Sequence, residues 1–271
     1  MNRMIRLVVV SICMAILAIV LMISVTHISL VCAATESPSV EANAKDSSLQ
    51  QKERVLAILT IGKSTTTVER SRTILEEILE KDENKFCREA SAMALGILCD
   101  KKAIPKLKQS LKDDFGNVKM RAVWALAKMG DKSGKELALE TIKGEDVTAQ
   151  LLAVEAIEAI GDKDMIDELK KNLDSKNVWT KIHSKLAIKR LEIQGLSEAE
   201  KLNFLEKTLK DNQLEVNRWA AIELGKRGTT EAINILKQAT KDRENPGNYS
   251  ARKILQRLVE MGKISKEDLQ R

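Results

Sequence analysis

The chain has 271 residues, of which 44% are apolar, 31% charged and only 3% aromatic, with Pro at three positions. This composition excludes a fold built on long Val-, Tyr- and Thr-rich strands and describes a helical protein with a core of small aliphatic side chains. A formal charge of +6 is too small a bias to argue for nucleic acid, and two of the basic residues, Arg3 and Arg6, precede the body of the chain.

Residues 1–34 read as a signal peptide or N-terminal membrane anchor. Arg3 and Arg6 precede an apolar run from Leu7 to about Val25, and Val31 and Ala33 suit the −3 and −1 positions of a signal peptidase site. Uncleaved, the run is nearly long enough to span a hydrocarbon layer of about 30 Å, so membrane contact through residues 1–34 is the rival expectation. Lipidation of Cys32 is disfavoured, because Ser29, Leu30 and Val31 lack the small residue such a site needs before the Cys. Each route places the body outside the cytoplasm, periplasmic or secreted. Residues 35–50 hold almost no large apolar side chain and are expected to form a flexible linker.

From residue 51 onward, one pattern repeats. Phe86 to Leu111 shows it best: a helix carrying Ala90, Met93, Ala94, Ile97 and Leu98, a break near Cys99 and Asp100, then a helix carrying Ile104, Leu107 and Leu111. Apolar residues three and four apart put one stripe on each helix, and a lone pair this short cannot bury both. Neighbours must supply the rest. Turn glycines recur at Gly130, Gly161, Gly195, Gly228 and Gly262, at intervals of 31 to 34 residues, with Cys99 and Gly62 in the same place further back. Each sits where the first helix must stop, a position that favours a left-handed residue. Asp131 and Asp162 follow directly and suit capping of the next helix. Four residues before the turn comes a large aliphatic, Ile58, Leu95, Leu126, Ile157, Leu191, Leu224 or Leu258. Eight before it stands a small residue, as at Ser91, Ala122, Ala153, Ala187 and Ala220, which lets neighbouring helices approach closely. Pro105 lies early in its helix, where a missing N–H costs little. A period in the thirties with two helices per unit predicts an all-α, α-solenoid domain over 51–271, of about seven units. The fifth carries an insertion before its second helix. The seventh is truncated, and its polar end from Lys263 to Arg271 suits a cap.

The motif Cys87, Arg88, Ala90, Ala94, Leu95, Gly96, Asp100, Leu107, Leu111, Asp113 returns as Val118, Lys119, Ala122, Ala125, Leu126, Gly130, Asp131. It returns again as Ala153, Ala156, Ile157, Gly161, Asp162, Leu169, Leu173, Asp174, and as Val216, Ala220, Ala221, Leu224, Gly225, Gly228. These units resemble HEAT repeats, in particular the short HEAT-like repeats named after phycobilisome lyases. Gln150 and Asn217 depart from the pattern, standing where the family often has a basic residue. The resemblance implies a right-handed alpha-alpha superhelix whose second helices line the concave side, and it says little about function.

Candidate sites are few. Cys87 and Cys99 are the two cysteines beyond the leader, and twelve residues of helix would hold them about 18 Å apart, too far for a disulfide; Cys87 suits the core and Cys99 the turn. Of the two histidines, His27 lies in the leader and His183 stands alone. Neither is followed by Glu, so the paired His-Glu motifs of repeat enzymes such as deoxyhypusine hydroxylase are absent, as is a zinc set. Ser184 beside His183 points about 100° away on a helix, so no triad forms from that pair. No phosphate loop or dinucleotide fingerprint is present, and no cofactor or catalytic residue is assigned.

What remains is surface. Aligning the second helices brings Lys108, Lys170 and Lys237 to one position after the middle Leu, with Lys112, Lys171, Lys207, Lys210 and Lys241 close by. Under the resemblance they form a lysine ladder on the concave face toward another protein, acidic in character. Against it stands the reading of a solvated face, since Asp113, Asp114, Asp174, Glu206, Asp211 and Asp242 are interleaved. Of three tryptophans, Trp124, Trp179 and Trp219, Trp179 starts its helix and is the one expected to be exposed. The reading is a non-enzymatic extracytoplasmic scaffold, with a lyase-like chromophore-attachment factor as the alternative and a nucleic-acid-binding protein as a weaker second alternative.

Overall fold

The computed structural model describes residues 38–265 and 267. Among these there are fourteen α-helices and no strand. They are α1 (Pro38–Lys45), α2 (Gln51–Ile61), α3 (Val68–Lys81), α4 (Lys85–Leu98), α5 (Ile104–Ser110), α6 (Gly116–Lys128) and α7 (Lys135–Thr141). There follow α8 (Val147–Ile160), α9 (Ile166–Lys171), α10 (Val178–Glu192), α11 (Glu198–Leu209), α12 (Leu214–Arg227), α13 (Thr230–Lys241) and α14 (Asn248–Glu260). In chain order α2 to α13 alternate as the first and second helices of six units, and α14 is the first helix of the truncated seventh. The expected leader, 1–34, lies outside the described residues. No helix among the described residues is long and apolar enough to cross a membrane.

The chain divides into two compact units, 1–136 and 137–271. In the first, α2, α4 and α6 stack side by side, with α3 and α5 behind them. The turn-minus-four aliphatics Ile58, Leu95 and Leu126 are fully buried, as are Ala122 and Leu107. In the second, α8, α10, α12 and α14 stack in the same way, burying Ile157, Leu191 and Leu224 completely and Leu258 almost so. Contacts run between sequence neighbours, a solenoid-like arrangement in each unit.

The turn chemistry follows the spacing. Gly130, Gly161, Gly195, Gly228 and Gly262 all have φ between 63° and 85°, and Cys99 holds the same left-handed conformation at 57°. Gly62 is the exception: it ends α2 with φ −63°, so the left-handed expectation fails there. Its Cβ would lie 2.8 Å from Ala94 of α4, so this glycine serves close packing of two helices instead. Asp100 caps the turn of helix that leads into α5, accepting the Lys102 N–H at 3.1 Å, whereas Asp131 accepts the Ser133 N–H at 2.9 Å in the turn that precedes α7. Asp162 makes no such cap.

One expectation about the ends is corrected. The stretch read as a linker contains α1, which packs on α2; Ala44 is fully buried and its carbonyl accepts from the Arg54 guanidinium. Arg70–Glu41 and Lys45–Glu77 tie the same helix to α3. A segment with so little apolar surface is ordered because α2 would otherwise expose the flank that a preceding unit covers elsewhere. At the other end, the polar stretch from Lys263 to Arg271, expected to cap the stack, lies largely outside the described residues.

Candidate partner-binding surface

A polar clasp recurs eleven residues before the turn, on the first helix of a unit. Arg88 on α4 donates back to the Asp82 carbonyl at 3.0 Å and forward to both carboxylate oxygens of Asp113 at 2.9 and 3.0 Å. At the same position Gln150 on α8 donates back to the Gly144 carbonyl at 2.6 Å, while its own carbonyl accepts from Thr180 at 3.1 Å. Asn217 on α12 donates back to the Asp211 carbonyl at 3.0 Å and forward to that of Pro246 at 3.3 Å, and accepts from Ser250 at 2.7 Å. The two departures from a basic residue are therefore amide versions of one device, which ties the loop behind to the element ahead. In the fifth unit this position holds Ser184, too short to reach; its hydroxyl is fully buried and finds no partner. Lys185 beside it reaches Asp211 at 2.7 Å.

These clasps decide which loop charges face outward. Three inter-repeat loops carry a Lys-Asp pair followed by an apolar residue at the start of the next helix: Lys112-Asp113 before Phe115, Lys210-Asp211 before Leu214, Lys241-Asp242 before Tyr249. Asp113 and Asp211 are turned inward onto Arg88 and Lys185, and Asp82 onto Arg54. Burial works to raise the Asp113 carboxyl, but the Arg88 guanidinium and the Phe115 N–H outweigh it and hold it below the usual carboxylate range. Lys112, Lys210 and Lys241 are left outside with Leu214 and Tyr249, while Phe115 is partly buried against the core.

In the first unit, Phe86 and Phe115 meet edge to face at 5.7 Å, with the Lys85 ammonium 4.6 Å from the Phe115 ring centre. Lys112 is exposed; Lys108, also exposed, pairs with Asp131 at 2.7 Å. Against the cost of burial, Lys108 and Ser133 bring the Asp131 carboxyl down to about 2.

In the second unit, Lys170 and Lys171 on α9 pair with their own helix, at Asp167 (2.9 Å) and Glu168 (2.7 Å). Lys207, Lys210 and Lys241 are exposed and Lys237 is half-buried. Part of the ladder is thus already neutralised. Trp179 is 57% exposed, with its ring centre 6.4 Å from that of His183. Trp219 is buried, and Trp124 packs over Gly96, where a Cβ would fall 2.5 Å from the ring. Val178, Leu214 and Tyr249 are exposed as well, at the first or second residue of α10, α12 and α14. Reading for stripes missed these three, because they stand at helix starts. For Leu214 and Tyr249 the signal lay in the loops, where an apolar residue follows the charged pair.

A groove of about 620 Å³ lies on the first-helix side of the second unit, floored by Leu186, Ile193, Trp219 and Ile222. Its rim charges pair with one another, Arg190 with Glu158 at 2.8 Å and Lys226 with Glu223 at 2.7 Å. Among the described residues no group of three His, Cys, Asp or Glu side chains is placed to hold a metal ion. Cys87 is buried and Cys99 exposed, both as free thiols, and burial pushes the Cys87 thiol up.

Among curated proteins none matches the sequence. Solved structures do. The complex of CpcE and CpcF of phycocyanin lyase from Nostoc sp. PCC7120 is similar at 24% identity and a TM-score of 0.52, over 85% of this chain and 90% of that one. YibA of Escherichia coli matches at 17% identity and a TM-score of 0.45, over 81% and 82% of the two chains. Human deoxyhypusine hydroxylase matches at 15% and 0.37, over 84% and 96%. The model for HEAT repeats matches residues 43–120 and 104–189, together more than half of the chain. The chain belongs to the HEAT-repeat family.

Proposed function

We propose that the protein is a non-enzymatic scaffold that holds another protein and acts outside the cytoplasm. In this reading each unit is a stretch of right-handed solenoid whose second helices present Lys108, Lys112, Lys170, Lys171, Lys207, Lys210, Lys237 and Lys241 on a concave face to an acidic partner. The observation that carries it is the fate of the ionisable side chains. Arg54, Arg88, Lys185 and Arg190 are spent on carboxylates of their own or an adjoining repeat, where they serve stacking. The similar structure from Nostoc, a complex of two chains, supports a protein as the partner. Extracytoplasmic action rests on the leader composition alone.

Changing Lys108, Lys170 and Lys237 together to Glu is the test, with affinity measured for a co-purified partner and thermal unfolding measured alongside. Lost binding by a variant that is still folded supports the ladder, some loss of stability being expected from the broken Lys108–Asp131 pair; unchanged affinity removes it. Fractionation tests the compartment, and recovery in the cytoplasm overturns that part.

The groove over Leu186, Ile193, Trp219 and Ile222 favours one second reading, a chromophore-attachment subunit of the lyase type. Saturable change in a bilin absorption spectrum on mixing, lost on Trp219→Ala, would support it.

A further inference from the structure

From the start-of-helix edge of the second unit we infer a second binding activity, docking onto an anionic lipid surface. Helices α10, α12 and α14 are successive first helices packed side by side, so their starts lie along one edge. That edge presents Val178 at 63%, Trp179 at 57%, Leu214 at 42% and Tyr249 at 62% exposure. Four large apolar side chains left in water at the starts of three neighbouring helices are not explained by folding. Tryptophan and tyrosine are the residues that favour the boundary between water and hydrocarbon, where a flat ring and a polar atom are both accommodated.

The charges beside them match. Asp211 is turned inward onto Lys185. Asp174, Asp242 and Glu244 stay exposed, against exposed Lys176, Lys210 and Arg243 in the same loops and Arg252 and Lys253 on the first turns of α14. Lys176 and Lys210 make no ion pair among the described residues, and the Lys253 ammonium lies 5.8 Å from the Tyr249 ring centre. The edge therefore combines a cationic surplus with protruding apolar tips, the chemistry of interfacial binding to anionic lipid. A protein partner would need matching sockets for separate tips, whereas a lipid surface yields to them. Retained as the expected anchor, the apolar run from Leu7 to Val25 would hold the same chain near such a surface.

The test uses the full chain with vesicles of phosphatidylcholine alone and of phosphatidylcholine with phosphatidylglycerol, each with and without brominated acyl chains. Trp179 is the exposed indole, so its emission reports the edge itself. With anionic vesicles it moves to the blue and is quenched by bromine, and Trp179→Phe removes the quenching. Lys176→Glu with Lys210→Glu lowers partitioning at least about tenfold, and high salt does the same. Circular dichroism confirms that each variant is folded. Vesicle binding through residues 1–34 with Trp179 still quenched by acrylamide and not by bromine overturns the proposal. So does a Trp179 shift with an acidic amphipathic peptide but with no vesicle, which assigns the edge to a protein. Either result leaves the scaffold reading of the second helices standing.

Discussion

Replacing Arg88 by Ala removes the forward and backward arms of one clasp at once. The Arg88 and Asp113 side chains are only 13% and 11% exposed, and the pair is bidentate at 2.9 and 3.0 Å. The variant leaves the Asp113 carboxylate in place with the Phe115 N–H at 2.8 Å but without its guanidinium, and strands the Asp82 carbonyl. Breaking a buried pair by removing one partner costs about 3–5 kcal/mol, and the slight exposure here argues for the low end, about 3 kcal/mol. Arg88→Gln should cost about half of that, because Gln150 performs the same task with an amide. Urea unfolding at pH 7, followed by far-ultraviolet circular dichroism, measures both. Arg88 holds the folded Asp113 carboxyl below its unfolded value of about 3.9. Its contribution is therefore fully present above that value and is lost as pH falls through the lower folded value, so the gap between wild type and Arg88→Ala must close below about pH 4. A loss under about 0.5 kcal/mol, or Arg88→Gln as damaging as Arg88→Ala, refutes the clasp argument.

Cys99→Gly should stabilise the protein by about 1 kcal/mol, since Cys99 alone among the left-handed turn residues described carries a Cβ; a drop in the urea midpoint contradicts this. Gly96→Ala should cost about 2 kcal/mol, because its Cβ would lie 2.5 Å from the Trp124 ring and 2.9 Å from Ala125 Cβ, and unchanged near-ultraviolet dichroism and midpoint would rule out the close approach. Ser184→Ala removes a buried hydroxyl without a partner and should raise stability by about 1 kcal/mol, checked by the same titration. With the Asp131 carboxyl held at about 2, the Lys108 pair contributes fully above about pH 4 and fades toward pH 2. Lys108→Ala should flatten the stability profile in that window and leave its shape above pH 5 unchanged.

Much was legible without coordinates because it is local. The helix stripes, the turn glycines and the separation of Cys87 from Cys99 depend on residues three, four or twelve apart along one backbone, and the stacked helices followed from their period. Long-range partners set the rest. Asp113 and Asp211 read as solvated charge in the chain, yet each is claimed by a cation 25 or 26 residues away. That capture leaves lysines and apolar tips facing water at the loop edges. Gly62 and Gly96 looked like turn and pattern residues, and only the helix across from each shows that a Cβ has no room. Residues 38–45 held too little apolar surface to order themselves, and it took α2 and α3 to do so. Helix formation answers to neighbours in sequence, whereas burial and charge pairing answer to neighbours in space, which a repeat protein brings from the next turn of its stack.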